Sequence, residues 1–409
     1  MTSFDKPKNI LYVENGIGYG GAIICLRHLV TNLDRSKYAP LVVTGRTSPQ
    51  YQDIAQEAPW KHIPDRLIDV VGMQKYLTNQ AWPDKLPGLR FIGQQILARL
   101  DDICNFLPFF LRLLWTAWRF KTDLIHANNE PLCNRAALLV AKCLRIPSVC
   151  HVRGSQKGSL SMRWAYSLPD HFVSVSNWVS DSMQQKLNIP KDKISVVYDG
   201  IALEKLDINA DGQVFREQFN IPGDAFVVGL VGLLIPWKGQ YLFLDSAKIL
   251  KDKIPNLKMA IIGGTPDDCI DYEQHLKNRV TDENLKNIVI FTGHQSGMDR
   301  IYNALDIVTS ASTSPEPLGT MVIECMAMGR LLLGPNHGGT AEMVTHQTTG
   351  LLFQPNSAED LAEKILKVHQ DKTIIKTLGK TAREEAFMKF DINHHTGEIQ
   401  KIYQAIINA

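Results

Sequence analysis

The chain carries no excess of either charge, no cysteine pair and no clean membrane-spanning run, and each absence removes a class of protein. Forty-four Lys and Arg stand against 42 Asp and Glu, for a net charge of +2. With a pI near 8.1, binding of nucleic acid driven by charge is not expected. The seven cysteines are odd in number and include no C-x-x-C pair; most lie in apolar stretches and read as reduced core residues. That cysteine pattern leads to the expectation of a cytoplasmic protein, and the N-terminal M-T-S-F-D-K-P-K-N-I lacks the apolar centre of a signal peptide. No internal repeat or low-complexity segment is evident. The acidic pairs Asp101-Asp102 and Asp267-Asp268 do not sit at strand ends beside phosphate-type loops, and no metal is expected.

What is present suits two α/β domains: 409 residues at 44% hydrophobic content supply a core for each. Both halves alternate short apolar runs with helical patterns, and each has a ligand-type loop after its first strand. In the first half, residues 9–13 form an apolar strand followed by E-N-G-I-G-Y-G-G-A and a helical pattern over 22–33. Gly16, Gly18 and Gly21 satisfy G-x-G-x-x-G in the strand–helix context of a dinucleotide loop. That motif also calls for an acid after the second strand, residues 40–44, where Gly45, Arg46 and Thr47 stand instead. Arg46 keeps an NADP-dependent oxidoreductase as an alternative. In the other reading, Gly20 and Gly21 form a flexible loop that closes over a diphosphate. Later strands run out into polar residues, at Asn128 and at His151, Arg153 and Gly154, as expected of the carboxyl edge of a doubly wound sheet.

In the second half, the strand over 226–232 leads to L-L-I-P-W-K-G-Q. A tight loop at a strand end offers Lys238 as a mobile point charge for a diphosphate. Residues 314–329 read S-P-E-P-L-G-T-M-V-I-E-C-M-A-M-G: a Pro- and Gly-bearing loop, then an apolar helix. Free backbone N–H groups and the positive helix end suit a phosphate there. Two carboxylates beside an anion need other partners, and Glu316 and Glu324 can each accept hydrogen bonds from a sugar or ribose diol. Paired Glu at this spacing also occurs on plain surface helices, where the first only faces the dipole.

The flanking residues point further. The stretch resembles the donor signature E-P-F-G-x-x-x-x-E-A-M-A-x-G of the retaining "group 1", glycogen synthase-like glycosyltransferases, with Leu318 for Phe and Cys325 for Ala. The resemblance covers nearly the whole chain, strongly over 227–355 and more weakly before 123. It implies the GT-B fold, two doubly wound Rossmann-like domains facing a cleft: 1–198 for the acceptor, 199–388 for the donor, and 389–409 crossing back to the first. It implies transfer of a sugar, with retention, from a nucleotide-diphosphate sugar (a UDP- or GDP-sugar) serving as co-substrate, with no cofactor. Its site would comprise His151 and Glu316 against the donor sugar, and Gly20, Gly21, Lys238, Leu318, Gly319, Thr320 and Glu324 around the rest of the donor. Three departures stand out: Ile23 or Ile24 where a Glu follows the Gly pair, Asp199 where Asn is usual, and Leu233 in place of an Arg. Arg153 is the candidate substitute for that phosphate clamp. A non-catalytic nucleotide-sugar-binding module is the remaining alternative.

Residues 106–120 read F-L-P-F-F-L-R-L-L-W-T-A-W-R-F. On a helical wheel Asn105, Pro108, Arg112, Thr116 and Arg119 share a narrow stripe, giving either a buried helix with one wet edge or an interfacial helix. Buried helices are commoner, yet Arg112 and Arg119 suit anionic lipid. The second reading implies peripheral contact through 106–120 with the inner face of a membrane, and a glycan or lipid-linked acceptor.

Overall fold

The computed structural model describes residues 6–15, 21–48, 51–79, 87–154 and 158–408. The chain divides into two compact units, the first made of residues up to Val175, Val179–Val197 and from Thr396 onward, the second of Ser176–Trp178 and Tyr198–His395. The first unit is built on a parallel sheet of β1 (Lys8–Glu14), β2 (Tyr38–Thr44), β3 (Trp60–His62), β4 (Leu124–Asn128), β5 (Ser148–Val152), β6 (His171–Ser174) and β7 (Ile194–Val196), in the order β3-β2-β1-β4-β5-β6-β7. Ile10, Leu11, Tyr12 and Val13 are all buried, because a parallel strand covered on both faces needs a continuous apolar run. Alternate residues serve opposite faces. Ile10 and Tyr12 pack with Leu26, Leu29 and Val30 of the helix Gly21–Thr31. Leu11 and Val13 pack with Leu113 and Ala117 of the helix Leu107–Phe120.

The last helix, Ile392–Ile407, belongs to both units in turn. Phe390, just before it, lies in the second unit's core, whereas Ile399 and Tyr403 are buried in the first. The chain therefore rejoins the first unit at Thr396, within the helix. Tyr403 Oη lies 2.6 Å from His126 Nδ1 and 3.2 Å from Tyr12 Oη.

The second sheet comprises β8 (Phe226–Val231), β9 (Leu257–Ile262), β10 (Val289–Gly293), β11 (Ile307–Thr309), β12 (Leu332–Pro335) and β13 (Leu351–Phe353), all parallel, in the order β10-β9-β8-β11-β12-β13. In both sheets the first strand lies beside the fourth, so crossovers diverge there and leave a crevice at the carboxyl ends.

The wet-edge reading is corrected at Asn105 and Thr116, while Arg112 and Arg119 are exposed as it expects. Asn105 and Thr116 are buried. Asn105 Oδ1 accepts from the N–H groups of Leu67 and Ile68 at 2.7 and 2.9 Å, and Thr116 Oγ accepts from Lys61 Nζ at 2.8 Å. The exposed apolar residues are Leu107, Leu111, Trp115 and Trp118, and Arg112 and Arg119 are exposed beside them. A π-helical turn at Asp102–Phe106 shifts the phase, so a wheel drawn at 3.6 residues per turn misplaces Asn105.

Ile399 is fully buried against the first sheet, so Ile399→Ala should cost about 2–4 kcal/mol. A lowered urea midpoint with unchanged slope is the expected reading.

Candidate active site

At the switch point of the second sheet, two loops meet. One follows β8 and passes through a 3-10 turn, Pro236–Lys238, to Gly239. Gly239 adopts φ +78°, and a Cβ there would fall 1.8 Å from the Ala311 carbonyl oxygen; glycine lets the two loops touch. The other loop follows β11 and ends at Gly319, the cap of the helix Thr320–Ala327. Their contact places Lys238 Nζ 2.7 Å from Glu316 Oε2, with both side chains largely buried. Ser312 Oγ donates to the other Glu316 oxygen. Sequence reasoning set Lys238 on a diphosphate and Glu316 on a sugar; the structure pairs them with each other.

The loop after β12 completes the arrangement. Gly339 N–H donates to the Glu316 carbonyl at 2.7 Å. A Cβ at Gly338 would lie 2.7 Å from that same oxygen, and one at Gly339 2.6 Å from the Pro317 oxygen. His337 Nε2 lies 3.1 Å from the Ser312 carbonyl, which only accepts, so that nitrogen carries the proton. Burial holds the His337 pKa below its ordinary value, in keeping with a neutral ring. Among the described residues the backbone N–H groups of Leu318, Gly319 and Thr320 meet no protein acceptor, as at an uncapped helix start.

Glu324 lies one turn into that helix, and its Oε2 accepts from the Tyr302 hydroxyl at 2.7 Å. Burial raises its pKa, partly offset by this hydrogen bond. Sequence reasoning missed Ser312, Tyr302 and His337. The S-T-S run before the motif and the His before Gly338 were signals of polarity without a partner.

In the first unit, His151 ends fully buried in β5, its ring 5.5 Å from that of His126. Arg153 Nη2 lies 3.4 Å from Asn128 Oδ1 and 3.5 Å from His151 Nδ1. Glu14 and Asn128, at the ends of β1 and β4, are buried and joined by a side-chain hydrogen bond; Glu14 was not foreseen. Gly16, Gly18 and Gly20 lie outside the described residues. Gly21 opens its helix, and a Cβ there would meet no atom within 4 Å, so no protein contact requires glycine at that position.

Residues 211–385 match the model for glycosyl transferases group 1, and residues 19–205 that for glycosyltransferase family 4. Each half of the chain thus matches a different glycosyltransferase model, and the two parallel-sheet α/β units have the architecture of the two-domain GT-B fold. An uncharacterized glycosyltransferase of Methanocaldococcus jannaschii is 25% identical over 57% of this chain and 59% of its own length. The capsular polysaccharide biosynthesis glycosyltransferase CapM of Staphylococcus aureus is 27% identical over 56% of this chain and 61% of its own. The chain therefore spans about three fifths of these relatives' lengths. HepE of Anabaena, solved with UDP, superposes with a TM-score of 0.80 at 22% identity, over 97% of this chain and 100% of that one; the likeness is one of fold. These matches do not favour the oxidoreductase reading of residues 16–21.

Two predictions follow from the paired charges and from Glu324. Lys238 and Glu316 side chains are 18% and 8% exposed, so Lys238→Met or Glu316→Gln alone should each destabilise by roughly 3 kcal/mol by stranding a charge. The double variant should recover much of that loss in a denaturant-melt cycle. For Glu324, the folded pKa lies above the ordinary 4.5, so the folded form binds the proton more tightly. Its cost to stability is absent below the unfolded pKa and grows as pH rises through the folded pKa. Glu324→Gln should therefore melt higher than wild type at neutral pH, with the gap closing as the pH falls through the folded pKa toward 4.5.

Proposed function

We propose that the protein transfers a sugar from a nucleoside-diphosphate sugar to an acceptor hydroxyl, with retention of anomeric configuration and without a metal ion. The observation that carries this reading is the Lys238–Glu316 pair at the switch point of the second sheet, beside the open N–H groups of Leu318, Gly319 and Thr320. As the bond to the sugar breaks, negative charge grows on the leaving diphosphate and the anomeric carbon becomes oxocarbenium-like. Preorganised N–H groups and an ammonium aimed at that charge are usually the largest catalytic term. The donor sugar's hydroxyls would exchange with Lys238 and Ser312 for the Glu316 oxygens, freeing Lys238 for the diphosphate. Glu324 would take the ribose diol with the oxygen not engaged by Tyr302. The acceptor attacks on the face the diphosphate leaves, and the departing phosphate takes its proton. HepE was solved with UDP and with UDP-glucose, which makes UDP-sugars the first donors to test; His151 and Arg153 are the first unit's candidates toward the donor.

The acceptor reading is a glycan, in keeping with the relative named for capsular polysaccharide synthesis, presented at a membrane surface. Among the described residues no helix is long and apolar enough to cross a membrane. A row of exposed apolar side chains nevertheless runs along residues 96–118: Ile96, Ile103, Leu107, Leu111, Trp115 and Trp118. An exposed patch of this length marks an interaction surface. Between 103 and 121 the chain has Arg112, Arg119 and Lys121 and no acid, which fits anionic lipid headgroups, and the Trp pair suits the interface.

Two measurements test these readings. Donor hydrolysis over a panel of UDP- and GDP-sugars should be found, should survive excess EDTA, and should fall in Glu316→Gln by roughly 2–4 kcal/mol of activation free energy. Stabilisation by NADP rather than by UDP or GDP in a melt would revive the oxidoreductase, and nucleotide binding without turnover would leave a binding module. Wild type should float with anionic vesicles at low salt, and Arg112→Glu/Arg119→Glu should float less while remaining folded. A wild type that stays in the soluble fraction would remove the membrane contact and leave the transferase.

A further inference from the structure

A second site lies in the first unit, at the carboxyl ends of β1 to β4. A cavity of about 240 Å³ is bordered there by Arg46 after β2, Asp65 and Arg66 after β3, and Arg135 after β4. Its other wall is the long helical segment, through Asp101, Phe106 and Phe109. The Arg135 guanidinium rests 4.8 Å above the Phe106 ring. Among the described residues neither Arg66 nor Arg135 forms a salt bridge, so two planar donor forks border the cavity with no carboxylate taken. Asp65 and Asp101 also line it, and they would repel a bare dianion. Both can accept from hydroxyls. Burial pushes the Asp65 carboxyl above its usual range, against the pull of Arg46 and Arg66. The cavity falls below the roughly 300–1,000 Å³ of whole ligand sites, which suits a headgroup-sized fragment.

We propose that this cavity holds the acceptor end of the reaction and that its ligand is a phosphorylated sugar or polyol: Arg66 and Arg135 take the phosphate, Asp65 and Asp101 the hydroxyls. The assignment of the ligand as acceptor rests on the transferase reading; the chemistry of the cavity does not. The exposed apolar row begins on the same helical segment, so a phosphorylated headgroup on a lipid and a free sugar phosphate both fit the cavity chemistry.

Calorimetric titration of the full chain with glycerol 3-phosphate, with glycerol as control, tests the site. The phosphate ester should bind and glycerol should not. Arg66→Gln/Arg135→Gln should weaken binding by about tenfold or more, the scale of losing charge-assisted hydrogen bonds. The exposed Arg66→Glu alone, which disturbs no packing, should weaken it in the same direction and guards against misfolding of the double variant. Lys238→Met/Glu316→Gln should bind as wild type, separating this cavity from the donor loops. Dihexanoyl phosphatidylglycerol, kept monomeric, reports the source: tighter binding than glycerol 3-phosphate assigns a lipid headgroup, and equal or weaker binding a soluble phosphate. Absence of binding, binding indifferent to the two Arg changes, or loss in the Lys238 variant instead would overturn the proposal. Failure of the transferase reading shows separately, as no donor hydrolysis while phosphate binding persists.

Discussion

Lys238 and Glu316 are 78 residues apart in sequence, and the ion pair between them exists only because β8 and β11 are neighbours. That adjacency follows from crossovers that diverge on either side of the first strand. Once the pair forms, its surroundings are constrained. Gly239 must let the Ala311 backbone approach, Gly338 and Gly339 must let the loop after β12 lie on residues 315–318, and Ser312 must satisfy the remaining carboxylate oxygen. A buried pair with either partner missing costs several kcal/mol, so fold and site share these residues.

Under the proposed transferase reading, the same pair changes what binding a donor would mean. In this state the ammonium and the carboxylate neutralise each other, and the open charge at the site is the helix start at Leu318 to Thr320. A diphosphate would be drawn by those N–H groups first, with Lys238 exchanging one anion for another. Such an exchange would keep a cation in contact with an anion throughout, which would lower the desolvation cost of opening the site.

The first unit uses its sheet differently. Its polar strand ends are held together, Glu14 with Asn128 and Arg153 near His151, while the cationic cavity lies to one side, toward β3. Its outer wall is the helical segment whose opposite side carries the exposed apolar row. One stretch of chain thus serves a polar cavity and a hydrophobic surface, and the π turn at Asp102–Phe106 sets which residues face each.

Much of this was legible in the chain. Apolar runs over 9–13 and 226–232 announce parallel strands because strands covered on both faces leave no room for alternation, and the loop–helix of 314–329 announces an anion-type helix start because Pro and Gly break the pattern just before it. The edge strands Trp60–His62 and Leu351–Phe353 were not, being three residues long and too short to show a period. Sequence by itself determined residue types and local geometry: that Glu316 precedes a helix, that Lys238 ends a tight turn, that residues 107–120 are helical. Tertiary structure alone decided partners and faces: that Lys238 meets Glu316, that Tyr302 holds Glu324, that Asn105 and Thr116 turn inward while Trp115 and Trp118 turn out. Propensity acts over a few neighbours along the chain, whereas charge pairing and burial depend on which distant strands lie side by side.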